Sequence, residues 1–244
     1  MAMTNKTQCF LLHFAGGSCY SFDFLKKYVH FNIEFIPLEL PGRGKRSTQP
    51  LITDKKAAID DYFQQIRMKR NRYQDYLVFG HSMGATLGLS VVKKMEGLGD
   101  IPSCLVVSGN SGPGIVEVQE EIKANQRHAM SDEDFKNELR EIGGVSDEVL
   151  ENEELYEYYS PILRADFQLL EIDDFLEKGT QIKAPICALM GTEEKYKVHI
   201  ENWKNFTRAS FQSETLEGGH FFIYDHAQRL GQLIEKLSQR SLAL

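Results

Sequence analysis

What this 244-residue sequence lacks narrows its class before any motif is read. No apolar run approaches the ~20 residues needed to span a bilayer, so no membrane helix is expected. The start, Met1 to Lys6, has no apolar core of the kind a signal peptide carries. Cysteine is scarce: Cys9, Cys19, Cys104 and Cys187 stand without metal-ligand spacing, three of them in apolar strand-like runs. They are expected as reduced thiols in a cytoplasmic protein. Positive charge is also in deficit. With 28 basic against 35 acidic residues the net charge is −7, which argues against broad nucleic-acid binding. The phosphate-binding patterns Gly-x-x-x-x-Gly-Lys-Ser/Thr and Gly-x-Gly-x-x-Gly are absent, leaving nucleotide binding weakly supported. There is no internal repeat, low-complexity tract or linker, and the length suits one domain over residues 1–244.

What is present is alternation. Six apolar runs read as strands: Gln8–Phe14, Ile33–Leu38, Asp75–Gly80, Ser103–Ser108, Pro185–Met190 and Ser210–Leu216. Several are apolar at consecutive positions, as in Tyr76-Leu77-Val78-Phe79, and such strands belong in a parallel sheet covered on both faces. Helical segments fill the intervals: Ser21–Val29, Thr53–Met68 with Thr53 as N-cap, Met83–Met95, His199–Phe206 and Ala227–Leu237. Strand and helix in turn predict an α/β fold with a mostly parallel sheet and helices on both faces.

The stretch from about residue 115 to 179 breaks the pattern. It carries no strand signal, and between Glu117 and Glu177 it holds 19 acidic and 5 basic residues. Ser131 begins a capping box, Gly143-Gly144 would stop that helix, and Ser160-Pro161 reads as N-cap and first turn of a helix over Ile162–Leu176. A helical excursion between two sheet strands is expected to form a lid, with Tyr156, Tyr158, Tyr159, Ile162, Leu163, Phe167 and Leu170 as candidate channel residues. Their bland alternative is the buried faces of lid helices.

Gly80-His81-Ser82-Met83-Gly84 fits the Gly-x-Ser-x-Gly nucleophile elbow, with a strand before it and a helix after it. That turn lifts Ser82 above the sheet edge and aims the Met83 N–H at an oxyanion. The base is expected in Gly218-Gly219-His220, after the last strand. Ser…acid…His is the chain order of this geometry, which favours His220 over the other histidines. The acid should follow Ala188-Leu189-Met190-Gly191, where the sequence reads Thr192-Glu193-Glu194. Glu194 is preferred by its offset from the strand end and Glu193 stays open. The turn Gly109-Asn110-Ser111-Gly112 offers no acid. The Gly-rich turn Phe14-Ala15-Gly16-Gly17 would bring a second oxyanion N–H, from Ala15 first and Gly16 next.

Together with the elbow and Gly218-Gly219-His220-Phe221-Phe222, the segments Ala15-Gly16-Gly17-Ser18, Leu40-Pro41-Gly42-Arg43-Gly44-Lys45-Arg46 and Leu163-Arg164-Ala165-Asp166-Phe167 give the chain a specific likeness. It resembles the type II thioesterases of nonribosomal peptide and polyketide synthesis, free-standing enzymes of the α/β-hydrolase fold, over roughly residues 8–225. The departure is a glutamate pair where that family usually has aspartate. The resemblance implies hydrolysis of acyl or aminoacyl thioesters from the phosphopantetheine arm of an acyl- or peptidyl-carrier protein, an editing role, without metal or redox cofactor. The phosphopantetheine belongs to the substrate. A monomer is expected, with Asp166 structural rather than catalytic. Rival readings are a product-releasing thioesterase, a general carboxylesterase and an inactive binding module.

Carrier proteins are usually acidic around the pantetheine serine, so a basic patch is the natural docking surface. Arg67–Arg72 is dense but precedes a strand, at the edge away from the expected site. Arg43, Lys45 and Arg46 follow the strand Ile33–Leu38 and are the expected docking residues.

Overall fold

The computed structural model describes residues 6–30, 32–172 and 177–239. Six strands form one sheet: β1 Thr7–Leu12, β2 Ile33–Pro37, β3 Tyr76–His81, β4 Cys104–Ser108, β5 Ile186–Gly191 and β6 Phe211–Leu216. Every pairing is parallel, in the order β2-β1-β3-β4-β5-β6. The strand order reverses at β1, so the loops after β1 and β3 diverge at the carboxyl edge and leave a crevice between them.

The alternation of side chains across the sheet makes two cores. Phe10, Leu12, Val78, Leu105 and Ile186 face α1 (Lys55–Lys69) and α2 (Met83–Gly97). Cys9, Leu11, Phe79, Val106 and Leu189 face the other way, where the final helix, Ala227–Gln239, covers them with Leu230, Leu233 and Ile234. All four cysteines are buried. No described helix is long and apolar enough to cross a membrane.

Between β4 and β5 the described residues form four α-helices, α3 Val116–Asn125, α4 Asp132–Ile142, α5 Asp147–Glu151 and α6 Glu153–Glu171; the final helix is α7. Phe135, Leu139, Leu150, Tyr156 and Leu163 give this lid its own small core. Ser131 caps α4 by accepting the Asp134 N–H, and Gly143 ends it at φ 79°.

Some boundaries differ from the sequence expectation. Asp54, not Thr53, caps α1, because its carboxylate accepts the Ala57 N–H at 2.7 Å. Ser160-Pro161 opens no helix. α6 starts at Glu153 under an Asn152 cap and runs through Pro161, since Tyr156 and Leu163, on either side of the proline, bury one continuous face. The expected end of that helix, Leu176, lies outside the described residues. The segments expected as helices at Ser21–Val29 and His199–Phe206 are 3₁₀ turns, Asp23–Tyr28 and Lys197–Phe206.

Candidate active site

Ser82 joins β3 to α2 with φ 53° and ψ −113°, a backbone shape that costs a non-glycine residue about 1–3 kcal/mol. The flanking glycines permit it. A Cβ on Gly80 would lie 2.1 Å from the Gly84 carbonyl oxygen, and one on Gly84 would lie 2.1 Å from the Leu12 carbonyl oxygen. Only glycine at both positions lets helix, elbow and β1 approach this closely.

His220 reaches the elbow from the loop after β6. Its Nε2 is 3.0 Å from Ser82 Oγ, and its Nδ1 is 3.0 Å from Glu194 Oε2. Glu194 is thus the carboxylate brought to the imidazole. Glu193 is exposed, its backbone N–H donating to the Gly218 carbonyl. The ring of His81, next to the serine, packs against the His220 ring at 5.1 Å between centroids, and its Nδ1 lies 3.0 Å from Ser108 Oγ. Burial, with the nearby His220, holds His81 well below the ordinary histidine range and therefore uncharged.

Met83 opens α2, where first-turn N–H groups have no acceptor within the helix. Across the crevice, Ala15 and Ser82 line the same cavity. The Gly16 N–H is already committed, donating to Asp166 Oδ2 at 2.8 Å. Asp166, on α6, also takes both Nη groups of Arg43, with Nη2–Oδ1 at 2.7 Å. His13 braces the same turn: Nδ1 donates to the Phe14 carbonyl and Nε2 accepts the Leu40 N–H. That pairing fits a neutral ring, and burial with the nearby Arg43 lowers its pKa to about 4.

Arg43 is therefore not where a docking residue must be. It is 2% exposed and spent on Asp166, because the Leu-Pro-Gly-Arg-Gly turn folds inward beneath the lid helix. Arg46 is largely committed too, gripping both oxygens of Asp61 and the Glu39 carbonyl. Lys45 remains exposed, its Nζ 5.8 Å from the Tyr20 ring. The denser patch does sit at the opposite edge, where Arg70 contacts Gln8 and Asp100, residues that begin or precede strands.

A cavity of about 620 Å³ lies over Ser82 and His220, roofed by the lid. Of the seven candidate channel residues, Leu163, Phe167 and Leu170 line it, at a helical spacing that puts them on one face of α6. Tyr156 sits in the lid core and Tyr158 and Tyr159 are exposed. Asp166 is the structural residue expected; what sequence reading passed over is also polar, with His13 and Glu39 as buried supports of the loops and Arg127, Glu138 and Glu171 lining the cavity. The available signal was a polar residue at the end of an apolar run, as with His13 after Leu11-Leu12 and Glu39 after Leu38.

Comparison with known proteins agrees with this geometry. The family profile described as thioesterase domain matches residues 7–240. The protein named linear gramicidin dehydrogenase LgrE, of Brevibacillus parabrevis, is 30% identical over 96% of this chain and 88% of its own. The probable anguibactin biosynthesis thioesterase AngT of Vibrio anguillarum is 26% identical over 97% and 94%. Among solved structures, the type II thioesterase BorB from the borrelidin biosynthetic cluster superposes with a TM-score of 0.81 at 26% identity, over 96% of this chain and 93% of that one. The chain belongs to the thioesterase domain family: it is an enzyme of the α/β-hydrolase fold that acts on thioesters.

Proposed function

We propose that this enzyme releases acyl or aminoacyl groups from the phosphopantetheine arm of a carrier protein, clearing stalled synthetases through an acyl-enzyme on Ser82. The observation that carries the reading is the hydrogen-bonded series Ser82–His220–Glu194 opening into a roofed cavity. Ser82 Oγ attacks the thioester carbonyl as His220 Nε2 takes its proton. Glu194 fixes the proton on Nδ1 and stabilises the imidazolium. The Met83 and Ala15 N–H groups hold the oxyanion, a contribution of several kcal/mol in the transition state. The carbon–sulfur bond breaks, the pantetheine thiolate leaves and His220 returns the proton to it. Water, deprotonated by the same histidine, then attacks the acyl-Ser82 ester and frees the acid. The resemblance to AngT and BorB, both named for biosynthetic systems, supports a carrier-bound substrate.

Mass spectrometry of carrier proteins loaded with acetyl, hexanoyl or aminoacyl groups tests this directly. The expected result is a mass loss matching the free thiol, abolished in Ser82→Ala. Turnover of simple esters with loaded carriers untouched would assign a general carboxylesterase instead. Selective release of one finished product, with short acyl carriers untouched, would assign a product-releasing thioesterase.

A further inference from the structure

The residue before the nucleophile is a buried polar side chain that no step of the proposed hydrolysis uses. His81 ends β3 and is 0% exposed. Its register partner is Ser108, the last residue of β4, so the two side chains stand on the same face of the sheet. Ser108 ties His81 and Ser82 together: its carbonyl accepts the Ser82 N–H at 2.7 Å, and its Oγ lies 3.0 Å from His81 Nδ1. The ring enters a slot that glycine opens, since a Cβ on Gly109 would fall 2.5 Å from His81 Cε1. Around the slot stand Phe14, from the loop after β1, and His220, Phe221 and Phe222, from the loop after β6. Their ring centroids lie between 5.1 and 6.1 Å from that of His81. His220 is the nearest of the four, tilted at 41°.

Packing alone does not call for histidine here. A phenylalanine would fill the slot without carrying two ring nitrogens out of water, and Nε2 meets no hydrogen-bond partner among the described residues. What the histidine adds is a fixed ring plane, because the Ser108 contact holds a side-chain torsion that is otherwise broad and two-fold. We infer that His81 is a positioning residue for the triad: its ring, turned by Ser108, seats the His220 imidazole where Nε2 meets Ser82 Oγ. The inference rests on the Ser82–His220–Glu194 reading of the site. Ser82 and Glu194 grip the His220 ring at its two nitrogens, and neither contact opposes tipping about the line that joins them. A ring packed alongside does. Phe221 meets the His220 ring at 89° and His81 meets it at 41°, so His81 is the neighbour nearer to stacking. Burial, with His220 nearby, keeps His81 uncharged, and the imidazolium formed on His220 therefore meets no like charge beside it.

The rate of fluorophosphonate labelling of Ser82 in the full chain tests this, because phosphonylation draws on His220 whatever the natural substrate. Measured beside it are kcat and KM on hexanoyl-pantetheine and the downfield proton resonance of the His220 Nδ1–H, identified by its loss in His220→Ala. Ser108→Ala frees the ring and should slow labelling and kcat about tenfold, and His81→Phe, a ring that nothing turns, should match it. His81→Leu should cost about a hundredfold, the scale of a 1 Å misplacement of a catalytic group, with KM held within about threefold. His81→Asn reaches Ser108 without a full ring and should be as slow as His81→Leu. The resonance should broaden in both. A purely structural His81 would lower the melting temperature and leave labelling rate, kcat and resonance of the folded protein at wild-type values. That result in Ser108→Ala, or in any folded His81 variant, overturns the inference, as does a rise in KM in place of a fall in kcat. Should the His81 variants not fold, Ser108→Ala decides alone through the same readouts. Wild-type protein labelled at Ser82 but inert towards every acyl-pantetheine would instead sink the thioesterase reading, and the labelling rates would still decide the role of His81.

Discussion

Arg43 and Asp166, 123 residues apart in the chain, meet as a bidentate ion pair with side chains 3% and 0% exposed. One belongs to the turn after β2 and the other to the lid helix, and Asp166 also holds the Gly16 N–H. The pair therefore fastens the lid helix to the loop after β1 that carries Ala15 and Gly16. Removing one partner leaves a buried charge uncompensated, which costs about 3–5 kcal/mol. Asp166→Asn should lower both urea-unfolding stability and kcat. Unchanged kcat in a destabilised protein would confine the pair to folding.

Ser82→Ala should abolish hydrolysis and fluorophosphonate labelling. Ser82→Gly should be equally inactive yet more stable than the alanine variant by about 1 kcal/mol, since glycine relieves the strain at φ 53°. Thermal melting of the two variants side by side reads the difference, and equal melting would mean that the elbow stores no strain.

Glu194→Gln should lower kcat by orders of magnitude, up to ~10⁴ as when a serine protease loses its aspartate, with less loss because a thiolate leaves easily. Glu193→Gln should be mild, its carboxylate being exposed. Steady-state rates on one acyl-pantetheine thioester decide; the reverse ranking would transfer the role to Glu193.

His13 supplies a pH signature. Its folded pKa of about 4 lies below the ordinary value of 6.5, so between those limits the unfolded chain binds the extra proton. Stability should fall as pH drops from about 6.5 towards 4, by roughly 3 kcal/mol from this residue. His13→Gln should flatten that slope in urea titrations at successive pH values. An unchanged slope would assign the acid sensitivity to His81 or to carboxylates.

Of the three expected docking residues, with Arg43 buried and Arg46 committed, Lys45 is the one left exposed to meet an acidic carrier. Lys45→Glu should raise KM for an acyl-carrier protein and leave KM for a small acyl-pantetheine unchanged. Sensitivity at Lys69 instead would put docking on the opposite edge.

The sheet and the elbow were legible because their signals are local. Continuous apolar runs report strands covered on both faces, and the glycines around Ser82 report a close approach that any larger residue would block. Arg43 was misplaced for the opposite reason. A short basic stretch looks like surface until its partner is known, and Asp166 is supplied by an element far along the chain. Arg127 escaped notice likewise, since three separate segments bring its glutamates. Pro161 misled because proline commonly starts helices, whereas here tertiary burial outweighs the lost hydrogen bond.

An all-parallel sheet contains no hairpin, so no described strand of this sheet pairs with its sequence neighbour across a tight turn. The pairing of β4 with β5, Leu105 opposite Ile186, closes a loop of about eighty residues that includes the whole helical lid. Topologies of such high contact order fold slowly. During synthesis the first four strands emerge while β4 still lacks β5, leaving the edge Cys104–Ser108 bare through the translation of the lid. The most apolar part of the sheet is then a template for another chain. Yield on overexpression should depend on how fast that edge is covered, so slowing translation across the lid codons would increase aggregation, even though the finished sheet hides the same strand completely.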